Sequence, residues 1–148
     1  MIKIICIGKI KENYLKEAIK EYQKRLSKYT KLEIIELQDE SNEKALKIES
    51  ERILKYLKKD DYIITLEIEG KQLTSIELSQ KIEKTLITNP NITFIIGGSY
   101  GLDDQIKKLS NYSLSFSILT FPHQLFRVFL LEQIYRSFKI MNNENYHK

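Results

Sequence analysis

The sequence predicts an α/β fold, a mostly parallel sheet flanked by helices. Two buried-type strands, residues 3–7 and 92–96, are β-branched and apolar on nearly every position, as in strands covered on both faces. Amphipathic stretches at three- and four-residue spacing alternate with such runs along the chain. That alternation implies parallel neighbours, because parallel strands need crossover connections.

After the first strand, Leu15, Ala18, Ile19, Tyr22, Leu26 and Tyr29 recur at helical spacing, with Lys16, Lys20, Lys24, Arg25 and Lys28 mostly between them. The pattern predicts a helix over 14–29 with a basic outer side. Residues 32–37 read as a second strand. Ala45, Ile48, Ile53, Tyr56 and Leu57 mark a second helix, ended by the charged turn 58–61, and 62–66 as a third strand. Thr74 and Glu77 fit a capping box, where hydroxyl and carboxylate satisfy free N–H groups at a helix start. Leu78, Ile82 and Leu86 follow on one face, and Asn89-Pro90 stops the helix. The strand at 92–96 runs into Gly97-Gly98-Ser99-Tyr100-Gly101, and a short helix spans about 103–109. Residues 114–118 alternate as a half-buried strand does, and Pro122 opens the last helix. Ten of the seventeen residues 124–140 are apolar and spread around the whole circumference. One side can pack on the sheet; another needs a second cover, and a symmetric copy is the simplest candidate.

A chain of 148 residues with 42% hydrophobic content suits one domain spanning 1–148. The start lacks a signal-peptide pattern and no apolar run reaches membrane-spanning length, so a cytoplasmic location without a membrane partner is expected. A single cysteine excludes an internal disulfide framework. The net charge of +4 is unevenly spread: residues 1–31 hold nine Lys or Arg against three Glu, leaving the remainder net negative. A concentrated basic face suggests a nucleic-acid partner, and also fits a solvated helix with lysines for solubility.

Ligands of parallel sheets bind beyond the carboxyl ends of strands, which directs attention to the loops after the third, fourth and fifth. Three of the five glycines follow the fourth strand, where missing side chains let a ligand approach the main chain; a tight turn has the same needs. The spacing is not that of a dinucleotide fingerprint, no P-loop exists, and no serine sits in a nucleophile elbow. His123 and His147 with lone Cys6 have no zinc-ligand spacing, so no metal is expected. In the segment of Ser117, Ile118, Leu119, Thr120, Phe121 and Pro122, irregular main chain could meet an adenine edge between apolar walls. His123 falls in the first helical turn, where the dipole favours a neutral imidazole able to accept a proton; helix capping or packing is the alternative. The tail ends on Tyr146, His147 and Lys148, groups that stack on a base or pair with phosphate, although most polar tails are disordered.

These motifs together closely resemble the ribosomal RNA large subunit methyltransferase H family: Ile95-Ile96-Gly97-Gly98 with Gly101-Leu102, the run 114–123, the helix from Arg127 to Arg136 and the terminal Tyr146-His147-Lys148. Strand one and residues 65–71 extend the likeness to essentially the whole chain, with Glu at position 67 where Asp is frequent. The resemblance implies a SPOUT-type fold with a C-terminal trefoil knot, and a homodimer that methylates N3 of a pseudouridine in 23S ribosomal RNA of the assembled ribosome. Carried over by motif, S-adenosylmethionine would touch Leu66, Gly98 with its neighbour Gly97, and residues 117–122. Loss of the N3 proton calls for a general base, with His123 first, His147 second and Glu132 third. Tyr146 would join the catalytic set. Arg127, Arg136 and Lys148 would hold phosphates or base carbonyls, and Lys20, Lys24 and Arg25 would face RNA. The same fold acting on transfer RNA or another ribosomal site, a non-catalytic ribosome-binding module and a flavodoxin-like regulatory domain are the competing readings.

Overall fold

Alternation of buried runs and amphipathic stretches resolves, in a computed structural model that describes residues 1–42 and 44–148, into five strands and five helices among those residues. The order is β1 (Ile2–Ile7), α1 (Asn13–Leu26), β2 (Leu32–Leu37), α2 (Ala45–Leu54), β3 (Asp61–Gln72), α3 (Ser75–Thr88), β4 (Asn91–Ile96), α4 (Asp104–Leu109), β5 (Tyr112–Ser115) and α5 (His123–Met141). The sheet runs β2-β1-β4-β3-β5 with every neighbour parallel.

The period of two divides each central strand between two cores. Ile2, Ile4 and Cys6 of β1, Ile64 of β3 and Ile92, Phe94 and Ile96 of β4 face a large cluster closed by α1, α3 and α5. Ile5 and Ile7, Ile63 and Ile95 face a smaller one closed from α2 and α4. On this second face Lys3 and Asp61 form a fully buried ion pair at 2.9 Å. Lys3 also donates to the Tyr56 carbonyl, and Asp61 accepts from Lys58 N–H and Asn91 Nδ2. Burial by itself would raise the Asp61 carboxyl, but the Lys58 N–H and the Lys3 ammonium outweigh it and hold the group below its ordinary range. Cys6 is core, as expected; burial pushes its thiol up to about 12.

Both halves of the Thr74–Glu77 capping box are present at the start of α3. Four elements depart from expectation, the first being α2, which ends at Leu54 and leaves Tyr56 and Leu57 outside the helix. Helix α1 ends at Leu26, and Tyr29 keeps its inward place from a turn, packing on Tyr135 and Phe138. Strand β3 runs on to Gln72 through an irregularity between Leu66 and Lys71, both opposite Leu114. Strand β5 is 112–115 rather than 114–118, because it pairs only with β3 at the sheet edge and the chain then turns away.

The last helix finds most of its second cover within its own chain. Leu130, Leu131, Ile134, Tyr135 and Phe138 are buried, and α5 packs against both α1 and α3. The apolar surface left over gathers at its amino-terminal end, where Phe121 and Phe129 meet edge to face 5.4 Å apart and Ile118 and Leu119 are 80% and 68% exposed.

Candidate active site

The carboxyl ends of β3, β4 and β5 enclose a cavity of about 450 Å³. Its walls come from three segments: Leu66 to Ile68 at the irregularity of β3, where its pairing with β4 has ended, the glycine turn after β4, and the irregular stretch between β5 and α5. Of the residues expected to touch a cofactor, Leu66, Gly97, Gly98, Ser117, Leu119, Thr120 and Phe121 line this one cavity, and His123 joins them from the first position of α5. Ile118 and Pro122 do not line it: the Ile118 side chain is turned to solvent, and Pro122 is the N-cap of α5 rather than its first residue.

The glycine turn is shaped by chain approaching chain. A Cβ on Gly97 would lie 2.6 Å from the carbonyl carbon of Gly101, well inside contact distance. Gly101 has φ +78°, a left-handed conformation that favours glycine, and its N–H closes the turn onto the Gly98 carbonyl at 3.0 Å. A Cβ on Gly98 would point away from the cavity, 2.9 Å from Ile7 Cγ2 and 3.5 Å from Glu49 Oε1. The missing side chains therefore let the turn fold tightly, and the wall offered to a ligand is its main chain. Glu49, buried beneath this turn, has its carboxyl raised by burial.

Opposite the turn, Ser117 Oγ accepts from Leu119 N–H at 2.9 Å, and Phe116 packs edge to face on Phe126. These two contacts bend the segment over the cavity, which Leu119 and Phe121 line while Ile118 is turned to solvent. The segment's main chain belongs to no helix or strand ladder; Leu119 N–H is taken by Ser117 Oγ and the Ser117 carbonyl accepts from Ser115 Oγ at 3.2 Å. Nine lining residues were not among those carried over as cofactor contacts: Glu67, Ile68, Ile96, Ser99, Gly101, Leu114, Ser115, Phe116 and Phe126. Glu67 follows a predicted cofactor residue directly, and that adjacency was the signal available for it.

The other expected catalytic and RNA-binding residues form a second cluster, toward the carboxyl end of α5. Glu132 accepts from Arg136 Nη2 at 2.7 Å and from the Tyr146 hydroxyl at 2.9 Å. His147 Nδ1 lies 3.1 Å from Arg136 Nη1, and the Arg136 guanidinium stacks over the Tyr146 ring. Burial first, then the bond to Glu132, pushes the Tyr146 phenol up to about 12, so it is a hydrogen-bond donor at neutral pH. Arg25 of α1 sits over the Tyr22 and Tyr135 rings while paired with Glu21. Tyr29 donates to Glu144, which also takes Lys139 at 2.8 Å. The tail is thus folded back on α5 beside the basic helix; Lys20, Lys24 and Lys148 are exposed there.

Arg127 corrects an expectation. Placed by the sequence reading against phosphate or a base carbonyl, it is 1% exposed; its guanidinium donates to Glu36 at 2.6 Å and to the Gly8 carbonyl at 3.0 Å. It braces α5 against the ends of β1 and β2. Arg127, Leu130, Leu131, Ile134 and Phe138 share one helical face, a spacing that carried this placement all along.

Among the described residues no helix is long and apolar enough to cross a membrane, and no group of three or more His, Cys, Asp or Glu is placed to hold a metal. Comparison with known proteins establishes the family. The family described as "Predicted SPOUT methyltransferase" matches residues 1–147. The ribosomal RNA large subunit methyltransferase H of Clostridium botulinum is 55% identical, with 99% of each chain covered. That of Caldicellulosiruptor saccharolyticus is 49% identical over the whole of both chains. A solved structure described as a probable methylase family protein from Haemophilus influenzae Rd KW20 superposes with a TM-score of 0.60 over 99% of this chain and 70% of that one; at 14% identity it supports the fold alone. The matches extend over essentially the whole chain, cavity included, and the chain belongs to the SPOUT methyltransferases of the ribosomal RNA large subunit methyltransferase H family.

Proposed function

We propose that this chain, one domain over 1–148, acts in the cytoplasm as a homodimer that transfers the methyl group of S-adenosylmethionine to N3 of a pseudouridine in 23S ribosomal RNA of the assembled ribosome. The observation that carries the reading is the single cavity gathering Leu66, the Gly97-Gly98 turn and residues 117–121 with His123 at its edge. Its volume of about 450 Å³ falls in the range of small-molecule sites, and its mix of apolar side chains with free main chain suits an adenosine. Leu66, Leu114, Phe116 and Leu119 would pack on the base and the main chain of 117–121 would read its edge. When bound, S-adenosylmethionine supplies an electrophilic methyl group on a sulfonium. In the same reading, the path from β5 through residues 117–122 into α5 is the part threaded as the C-terminal knot.

The protein's remaining work is orientation and proton removal. N3 of pseudouridine carries a proton between two carbonyls and is a poor nucleophile until that proton leaves. His123, half-buried at the cavity wall, is the proposed acceptor. Arg136, Tyr146, His147 and Lys148 would grip the RNA. Within one chain they cannot do so at the same cavity: Arg136 lies thirteen residues beyond His123 on one helix, about 20 Å along its axis. A second copy seated on Ile118, Leu119, Phe121 and Phe129 would cover the apolar end of α5 and could bring its own tail to this cavity, which supports the dimer.

The test is to incubate the protein with labelled methyl donor and ribosomes lacking the modification, then map the labelled nucleotide. Label at N3 of a 23S pseudouridine is expected. Label on transfer RNA, or binding to ribosomes without any transfer, would overturn the reading.

A further inference from the structure

Only two of the cavity-lining residues carry an ionisable side chain, His123 and Glu67, and Glu67 is the one acid. Its two carboxylate oxygens are used differently. Oε2 accepts from the Thr65 hydroxyl at 2.7 Å and from the Ser113 hydroxyl, and the Thr65 oxygen lies 2.8 Å from Ser110 Oγ. Thr65 sits on β3 and Ser113 on β5, so the rotamer is held from two strands, with Ser110 behind Thr65. Oε1 has Lys107 Nζ at 3.7 Å, beyond ordinary hydrogen-bond length, on a lysine side chain that is 39% exposed. The Glu67 side chain itself is 12% exposed. A largely buried carboxylate, anchored through one oxygen and short of donors at the other, thus lines a cavity otherwise built from apolar groups, hydroxyls, His123 and main chain. Such an oxygen gains most from a ligand that brings a hydrogen-bond donor, because bonds to an ionised acceptor are the strong ones.

We propose that Glu67 Oε1 accepts a hydrogen bond from a donor group of the bound nucleoside, a ribose hydroxyl or the α-ammonium, and that Glu67 is thereby a specificity-determining residue of the cavity. The inference rests on the reading that this cavity takes S-adenosylmethionine. Thr65 and Ser113 are positioning residues in this arrangement, because their hydroxyls hold the carboxylate in place, and Ser110 supports Thr65 in turn.

Calorimetric titration of the full chain tests it with three ligands: S-adenosylmethionine, methylthioadenosine, which keeps the ribose diol but lacks the ammonium, and dideoxyadenosine, which lacks both. Each is titrated into the unsubstituted protein, Glu67→Ala and Glu67→Gln; the Gln variant keeps the volume and leaves the three hydroxyls partnered, guarding against loss of fold. Both variants are expected to bind S-adenosylmethionine about tenfold or more weakly, the scale of a charge-assisted bond, while dideoxyadenosine stays within about twofold. Methylthioadenosine weakened in parallel identifies the ribose as the donor; methylthioadenosine unchanged identifies the ammonium. Equal losses for all three ligands, or S-adenosylmethionine affinity unchanged in both variants, would overturn the proposal. Failure of the unsubstituted protein to bind S-adenosylmethionine would remove the reading beneath it, a result distinct from either.

Discussion

The two ends of α5 perform their roles by different physics. At the amino-terminal end the surroundings are main chain and apolar side chains: the Gly97–Gly101 turn, Phe116 on Phe126, and Phe121 on Phe129. At the carboxyl-terminal end they are charges and rings, with Glu132, Arg136, Tyr146 and His147 bonded to one another. Shape of the first kind suits a neutral, planar base such as adenine, read by its edge. Charge of the second kind suits a polyanion, whose affinity comes largely from phosphate contacts. One helix thus separates the proposed site for a small donor from the proposed surface for RNA, and substitutions at the two ends should fail in different assays.

The largest expected effect falls on the tail. Deleting Tyr146 to Lys148 removes the stacking, imidazole and cationic groups together, and methyl transfer should drop roughly a thousandfold, within the range of acid–base and positioning losses. Affinity for S-adenosylmethionine should stay within about twofold, since none of the three lines the cavity. Binding titration beside a ribosome methylation assay checks both; a parallel loss of cofactor affinity would erase the distinction between the ends.

A control remote from both ends comes next. Asp61→Asn breaks the buried pair with Lys3 and strands an ammonium on the face closed by α2 and α4. The expected cost is about 3 kcal/mol at neutral pH, measured by urea unfolding. The sign with pH follows from the lowered Asp61 carboxyl: its contribution is fully present above the ordinary carboxylate value of roughly 4 and is lost as pH falls through the lower folded value. The gap between the two proteins should therefore narrow in acid, while ligand affinity of the folded variant is unchanged.

Gly97→Ala should weaken S-adenosylmethionine by about thirtyfold, or about 2 kcal/mol, because the new methyl group forces the turn open at Gly101. Affinity for ribosomal RNA should hold. Gly98→Ala strains the opposite side, against Ile7 and Glu49, so its damage should appear first as lost stability.

How much of this could be read in advance differs between the same two ends. The cavity was legible because each wall follows a strand whose pattern is unambiguous, as in the apolar run into Gly97, and because parallel sheets place ligands there. Where it failed, the causes were local. Periodicity reports which residues face inward, not whether the backbone between them is helical, and so Tyr29 extended α1 beyond Leu26. Alternation at 114–118 was read as strand when Phe116 onward had left the sheet to pack on α5. At the other end the groups were named but not their mutual bonds, since contacts between Glu132 and the tail depend on where the chain turns after Asn142. Arg127 was misplaced for a chemical reason: guanidinium was read by its charge when its helical face already assigned it inward.

The smallest effect sharpens the comparison at the RNA end. Lys24→Gln removes one exposed cation from the face of α1 that Arg25 ties to the Tyr135 and Tyr146 cluster. Stability should move by less than about 0.5 kcal/mol, as for most exposed positions. Ribosomal RNA affinity should fall only a few fold near physiological salt, and the slope of log affinity against log salt should become shallower by about one, the share of one released counterion. Cofactor affinity should not change at all. The slope is the decisive reading, because a lysine present only for solubility leaves it unaltered, and an unaltered slope would confine the RNA surface to the tail and the end of α5.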